Sequence, residues 1–434
     1  MLMQTQAAVG SIDTSENDLG TAVEDLEQAA TVIPRLREDL RGLLRLVGSV
    51  VAASQERAQS QYDSQIRILQ AHRDAPEWES VIDLWDNAAI LFSEMSRCVE
   101  RLAETLRRVM SDSQGTKDAL VSDLTQNLLR LSEFASKLSG IIDDPDESGI
   151  YWVTLKRQTS DVVLNSAPLH VGSDLEERLY AQTRATVLTS ATLSSDGSLD
   201  HIAERLGFSD SRRLMLGSPF NYSEAALLYT PSGVPHPNAP NFQQAVERVV
   251  TDAAIAAQGR TMVLFTSYEA LRNTARSIRP AFEERDIQVI SQGIDGPPQL
   301  LAEWFLEEPR SALLGTSSFW QGVDFAGDAL TVLIIARLPF TVPSDPIFQA
   351  RSEQYGSEAF SKYAIPQAIL KFRQGFGRLI RSSRDRGIAI VMDSRITSSR
   401  YGRRFIQSLP EMTVTNGRGQ GTSAVVRRWL EYTG

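Results

Sequence analysis

The chain has 434 residues, 42% hydrophobic and 23% charged, a balance that excludes a disordered polymer and, at roughly 150 residues per domain, leaves room for two or three cores. No stretch reaches the roughly 18 uninterrupted apolar residues of a spanning helix, and Met1 to Asp18 lacks the basic-then-apolar order of a secretory signal, which points to a cytoplasmic protein without membrane partners. Cys98 is the single cysteine, so no disulfide framework and no four-cysteine metal or iron–sulfur site can be built within this chain.

Residues from about 20 to 142 predict long helices. Leu36, Leu40, Leu43, Val47 and Val50 step by three or four; so do Leu84, Ala88, Phe92, Met95, Val99, Leu102, Leu106 and Val109, and then Leu120, Leu124, Leu128, Leu131, Phe134, Leu138 and Ile141. Three such stripes bury one another as an antiparallel bundle. Pro34 belongs either in the first turn of the first helix or at a break within it. Residues 143–149, rich in Asp with Pro145 and Gly149, close the region. Residues 1–150 hold 14 Lys or Arg against 26 Asp or Glu, so the formal net charge of −10 arises here.

Beyond Tyr151 the period changes. Short apolar runs at Ala185–Leu188, Leu227–Tyr229, Thr261–Phe265, Gln288–Ile290, Ala312–Leu314, Leu330–Ala336 and Ile388–Met392 predict strands. Helical stretches at Phe242–Ala257, Ala270–Glu284, Gln299–Phe305 and Ile365–Phe376 separate several of them, the signature of a parallel α/β sheet. In such sheets ligands bind at the carboxyl ends of strands, so the residues that follow each run are the ones to read for chemistry.

After Leu188 come Thr189-Ser190-Ala191-Thr192, hydroxyls suited to bridging two polar sites and equally to an ordinary strand-to-turn junction. Thr266-Ser267-Tyr268 after Phe265 suit a nucleic-acid phosphate and a stacked base, or a helix N-cap with a core aromatic. Gly315 to Gly327 contains Gln321, Gly322 and Asp324; its glycines permit close backbone approach to a ligand or make a structural loop. Arg337 and Phe340, with Pro339 between them, either meet phosphate and base or end a strand.

The most specific run is Gln374-Gly375-Phe376-Gly377-Arg378-Leu379-Ile380-Arg381. Arg378 and Arg381, three apart, share a face if helical, with Gln374 one turn earlier. Two guanidiniums and an amide on one face form a clamp for a polyphosphate. Two glycines in a helix each cost about 1 kcal/mol relative to Ala, a cost that a merely solvated basic helix has no reason to carry. Residues 361–410 hold eleven Lys or Arg against only Asp385 and Asp393, either an anion site or a solvated basic face.

In order and spacing, Thr189–Leu193, Leu264–Tyr268, Phe319–Gly327, Arg337–Phe340 and Gln374–Gly387 resemble the later motifs of DinG/XPD-like superfamily 2 DNA helicases, over roughly residues 150–410. The resemblance implies an α/β, RecA-like parallel-sheet domain preceded by a helical, arch-like region: residues 1–145 as arch, 146–197 as the last strands of a first RecA-like domain, and 198–434 as the second. It implies ATP with Mg2+ as the cofactor pair and 5′ to 3′ movement on single-stranded DNA. By the same resemblance Arg378 and Arg381 are arginine fingers and Gln374 their nucleotide-side partner. Gln321, Gly322, Asp324, Gly377, Thr189, Ser190 and Thr192 bind or couple the nucleotide. Thr266, Ser267 and Tyr268, with Arg337 and Phe340, contact DNA.

One departure matters most. No G-x-x-x-x-G-K-[ST] occurs and no Asp-Glu-x-His follows a strand, so the groups that cradle the β- and γ-phosphates and hold Mg2+ must come from elsewhere. The expectation is the C-terminal part of a longer helicase, begun inside the arch and inactive alone, whose partner is a missing N-terminal RecA-like domain of the same parent; an iron–sulfur cluster of the parent would lie upstream. A noncatalytic, helicase-like nucleic-acid-binding adaptor is the alternative. A Rossmann-like nucleotide-sugar or methyl-transfer enzyme is disfavoured, since no Gly-x-Gly-x-x-Gly follows a first strand.

Overall fold

The computed structural model describes residues 16–54, 63–190, 192–194, 197–208, 210–320, 329–417 and 421–431, apart from residues 110–115. It divides into two units, residues 1–169 with 343–351, and residues 170–342 with 352–434. Among the described residues, no helix is long and apolar enough to cross a membrane.

The first unit is built on three helices, α1 (Glu16–Ala53), α2 (Glu77–Val109) and α3 (Thr116–Ile142). The apolar stripes meet as the spacing requires: Leu43, Val47 and Val51 pack with Trp85, Ala88, Phe92, Leu138 and Ile142. Pro34 lies inside α1, not in its first turn, with its ring exposed on the outer face. Arg73 donates to the carbonyls of Ile141 (2.6 Å) and Ile142 (2.9 Å), satisfying two groups that the end of α3 leaves open.

A three-stranded antiparallel sheet completes this unit: β1 (Ser64–Arg67), β2 (Gly149–Leu155) and β3 (Val162–Pro168), in the order β1-β2-β3. This differs from the expectation that residues 146–197 are strands of a parallel domain. Ile150 and Val153 are buried, Val153 in the helical core, which binds the hairpin to the bundle. Residues 185–188, expected as a strand, form none.

The second unit is a seven-stranded parallel sheet among the described residues. Its strands are β4 (Ala226–Thr230), β5 (Thr261–Leu264), β6 (Gln288–Ser291), β7 (Ser311–Gly315), β8 (Val332–Ile335), β9 (Gly387–Val391) and β10 (Thr413–Asn416), ordered β10-β4-β9-β8-β5-β7-β6. The middle strands are buried end to end, as both faces are covered. On one face lie α4 (Phe242–Ala256), α5 (Tyr268–Glu283) and α9 (Thr422–Glu431); on the other, α6 (Pro298–Glu307), α7 (Ile365–Phe376) and α8 (Gly402–Gln407). Six of the seven predicted strands and all four predicted helices of this region are present. Gly259 (φ +95°) leads into β5 where a Cβ would stand 2.6 Å from the Ser311 nitrogen, so only glycine fits.

Candidate functional site

Because the strands run parallel, the carboxyl ends of β9, β8, β5, β7 and β6 stand in a row about 4.8 Å apart, and four of the five motif segments follow them or the helix between β8 and β9. After β5, Thr266, Ser267 and Tyr268 are exposed. Ser267 caps α5, its hydroxyl accepting from the Ala270 nitrogen at 3.2 Å. Tyr268 is 39% exposed and is held from behind by Gln292, whose Nε2 donates to the tyrosine hydroxyl at 2.9 Å.

Gln292 is a residue that no pattern in the sequence marks. Its Oε1 accepts from the Thr316 nitrogen (2.7 Å) and the Thr316 hydroxyl (3.0 Å), while Nε2 also reaches the Ser318 hydroxyl at 3.3 Å. One buried amide therefore joins the loops after β5, β6 and β7 through four hydrogen bonds. A lone Gln beside a glycine carries no periodic signal, so sequence reasoning has nothing to find it by.

The cationic motif forms at the end of α7, but not as an extension of it. The helix stops at Phe376, and Gly377, Arg378 and Leu379 bond back through turns (Arg378 N to Gly375 O at 3.2 Å, Leu379 N to Phe376 O at 3.0 Å). Leu379 and Ile380 are drawn into the core. The helical face expected for Arg378 and Arg381 is thereby divided: Arg378 is 8% exposed, with Nη2 donating to the Trp320 carbonyl at 3.3 Å, whereas Arg381 is exposed. Asp385 holds the Arg381 turn, accepting from the nitrogens of Arg381 (2.7 Å) and Ser382 (2.8 Å) and from the Ser382 hydroxyl (2.6 Å).

Gly375 has a packing reason. A Cβ there would stand 2.8 Å from the Trp320 indole and 3.0 Å from Leu264, so its absence lets Trp320 lie against the helix backbone. The indole nitrogen donates to the Phe265 carbonyl at 3.1 Å, joining α7 to the end of β5.

Two further residues belong to this cluster. Arg373, half-buried on α7, donates through Nη1 to the hydroxyl of Ser194 (2.7 Å) and to its carbonyl; burial pushes its pKa down. Tyr222 packs its ring 6.0 Å from Phe376. Burial raises its hydroxyl pKa, against the opposing pull of a Ser218 hydrogen bond and of Arg381 and Arg373. Gln374 and Gly377 are half-buried in the same stretch.

The remaining candidates are placed as follows. Thr189 and Ser190 are exposed, and the Thr192 nitrogen donates to the Ser190 hydroxyl at 3.2 Å, a local turn. Gln321, Gly322 and Asp324 lie outside the described residues. Arg337 stacks 5.0 Å over Phe242 and donates to the Pro237 carbonyl, with burial lowering its pKa. Phe340 sits among Phe360, Tyr401 and Phe405 at 5.7–5.8 Å. Both are engaged in packing rather than presented to a groove. No three His, Cys, Asp or Glu among the described residues group to hold a metal. What this site offers a ligand is cationic and suits phosphate.

A family model described as a helicase C-terminal domain matches residues 250–412. The chain is 31% identical over 349 residues to the 3′-5′ exonuclease DinG of Bacillus subtilis, covering 78% of this chain and 38% of that protein. It is 34% identical over 341 residues to the ATP-dependent DNA helicase YoaA of Haemophilus influenzae, covering 77% and 51%. It is 34% identical over 311 residues to the ATP-dependent helicase DinG of Mycobacterium tuberculosis, covering 69% and 46%. The chain thus spans about half, or less, of the length of these relatives. Among solved structures, Xpd4 of S. tokodaii matches with a TM-score of 0.48 at 14% identity, over 90% of this chain and 70% of that one.

Proposed function

We propose that the chain, which matches a helicase C-terminal domain and is similar to DinG and YoaA helicases, supplies the arginine-bearing half of an ATP-driven motor on single-stranded DNA. The observation that carries this reading is the end of α7, where Arg373 and Arg381 lie within electrostatic reach of Tyr222 and Gln374 and Arg378 share the same short stretch, in a sequence without a phosphate loop.

Phosphoryl transfer needs positive charge on the equatorial oxygens of the transferred group and little covalent chemistry from the protein. Arg381, on a turn fixed by Asp385, is the residue that stands outside the core and reaches the γ-phosphate; Arg378, resting on the Trp320 carbonyl, links that site to the stretch holding Gln321, Gly322 and Asp324. Mg2+ bound with ATP would supply further positive charge to the phosphates, and the residues that would hold it belong to the other nucleotide-binding domain. Thr266, Ser267 and Tyr268 meet the DNA strand, and Arg337 and Phe340 act by supporting that edge. The motor moves 5′ to 3′, and the helical unit serves as its arch.

The partner domain is the first RecA-like domain of the same parent. Val187 is 85% exposed and its neighbour Leu188 is exposed, as are Leu214, Met215 and Leu216 further along the chain, large apolar side chains open to a covering partner. We assign residues 185–194 to that domain, as its last strand and coupling motif.

The test is steady-state ATP hydrolysis. The chain alone is expected to show none, with or without single-stranded DNA. In the complete enzyme, Arg381→Ala is expected to lower turnover by about 10³-fold or more. DNA-stimulated hydrolysis by the chain alone, or undiminished turnover of the variant, overturns the reading; a complete protein that binds DNA and hydrolyses no ATP would favour the adaptor.

A further inference from the structure

A second exposed aromatic stands on the same sheet edge as Tyr268. Phe340, beyond β8, stacks on Phe360 with ring centroids 5.8 Å apart and 18° between planes. Tyr401, beyond β9, meets Phe360 edge-on at 5.3 Å, and Phe405 closes the cluster from the core side. Phe360 is 51% exposed, its outer face covered by nothing among the described residues.

The cluster is held rigidly. Asp393, fully buried at the end of β9, accepts from Arg395 Nε at 2.8 Å and Nη2 at 2.6 Å and from the Leu338 nitrogen at 2.9 Å. That places the Arg395 guanidinium 5.4 Å over Phe340. Around the exposed ring the charge is mostly positive. Arg400 and Arg403 flank Tyr401 and are exposed, Arg404 reaches the Ser361 carbonyl beside Phe360, and Lys362 is offset by Glu358. An aromatic face open to solvent, with Arg404 bound beside it and the exposed Arg400 and Arg403 flanking Tyr401 in sequence, matches the chemistry of a nucleobase followed by its phosphates.

We propose that Phe360, backed by Phe340 and Tyr401 and rimmed by Arg400 and Arg403, is a stacking platform for an unpaired base of single-stranded DNA, apart from the contact at Tyr268. The proposal rests on the DNA reading above and extends it. Strand order puts β8 and β9 on one side of β5 and β7 and β6 on the other, so the two aromatics follow different strands of one row of loops. A strand crossing that row meets Tyr268 and Phe360 in turn. A base stacked at each point registers the strand, while the phosphates between are carried by cations.

The experiment is fluorescence anisotropy of the purified chain with a labelled thymidine strand of about 20 nucleotides, long enough for more than one contact, and with an abasic strand of equal length. Phe360→Ala is expected to weaken binding of the thymidine strand by about 5- to 150-fold, and the abasic strand hardly at all. Phe360→Tyr restores the ring and the affinity; Phe360→Leu keeps an apolar cover over Phe340 but not the stacking, and is expected to bind as Phe360→Ala does. Arg400→Ala with Arg403→Ala lowers the salt slope by about 0.7 for each phosphate that is no longer neutralised. Equal losses on the abasic strand, or an unchanged affinity of Phe360→Leu, overturn the platform. If Tyr268→Ala weakens binding and Phe360→Ala does not, the platform fails and the DNA reading stands. If neither variant nor the arginine pair changes binding, the DNA reading itself fails.

Discussion

Arg373 on α7 donates from one guanidinium nitrogen to both oxygens of Ser194, the hydroxyl at 2.7 Å, joining the helix that ends in the cationic turn to the segment that begins at Thr189. The two residues are 179 positions apart, and Tyr222 lies within electrostatic reach of both Arg373 and Arg381. The segment 189–194 is thus tied to the helix from which the Arg378–Arg381 turn departs.

Arg373→Ala removes a charge-assisted hydrogen bond of about 1.5–3 kcal/mol. If that bond transmits coupling, DNA-stimulated ATP turnover of the complete enzyme falls by about ten- to a hundredfold, with a smaller effect on DNA affinity. Arg373→Lys recovers part of it, since one ammonium still reaches one Ser194 oxygen. Equal losses in turnover and DNA binding would indicate a purely structural role.

Gln292→Leu leaves the Thr316 nitrogen and hydroxyl without their buried acceptor. Stranding such groups costs about 1–3 kcal/mol each, so thermal unfolding is expected several degrees lower. Tyr268 also loses its anchor, and single-stranded DNA binding weakens in parallel. An unchanged melting midpoint would show that the amide network is dispensable.

Gly375→Ala places a methyl group against Trp320 and Leu264 in a closed core. Overpacking of this kind costs about 1–3 kcal/mol, whereas alanine in an open helix would be stabilising. A denaturant midpoint that rises instead of falling would reject the close approach of indole and helix.

His72 is a pH-sensitive element of the helical unit. Leu69 N donates to its Nδ1 at 2.9 Å; Ser54 Oγ, itself donating to Val51 O, lies 2.7 Å from Nε2, so the neutral ring with the proton on Nε2 satisfies every partner. Burial, with the nearby Arg73 charge, lowers its pKa below 6.5. The unfolded chain then binds the proton more readily, so this stability is present above about pH 6.5 and is lost as pH falls through the folded value. The wild-type melting midpoint is expected to drop more between pH 7.5 and pH 5.5, bracketing that value, than that of His72→Gln; parallel pH curves would refute the assignment.

Much of this architecture was legible in the residues alone, because it depends on local periodicity. Apolar runs such as Ala226–Thr230 and Gly387–Val391 are strands since no polar face interrupts them, and Ile365–Phe376 is the helix that its sequence pattern predicts. The motif residues fall at strand ends for the same reason. Other features were decided only by packing between distant segments. Leu379 and Ile380 turn into the core and end α7 early, which separates Arg378 from Arg381 despite their helical spacing. Residues 149–168 join β1 because their buried face matches the helical bundle, and residues 185–188 form no strand because the described residues offer them no neighbour. Gln292 and Arg373 gain their roles from partners far along the chain, and no local pattern encodes a hydrogen bond whose two ends meet only when the sheet and its helices have assembled.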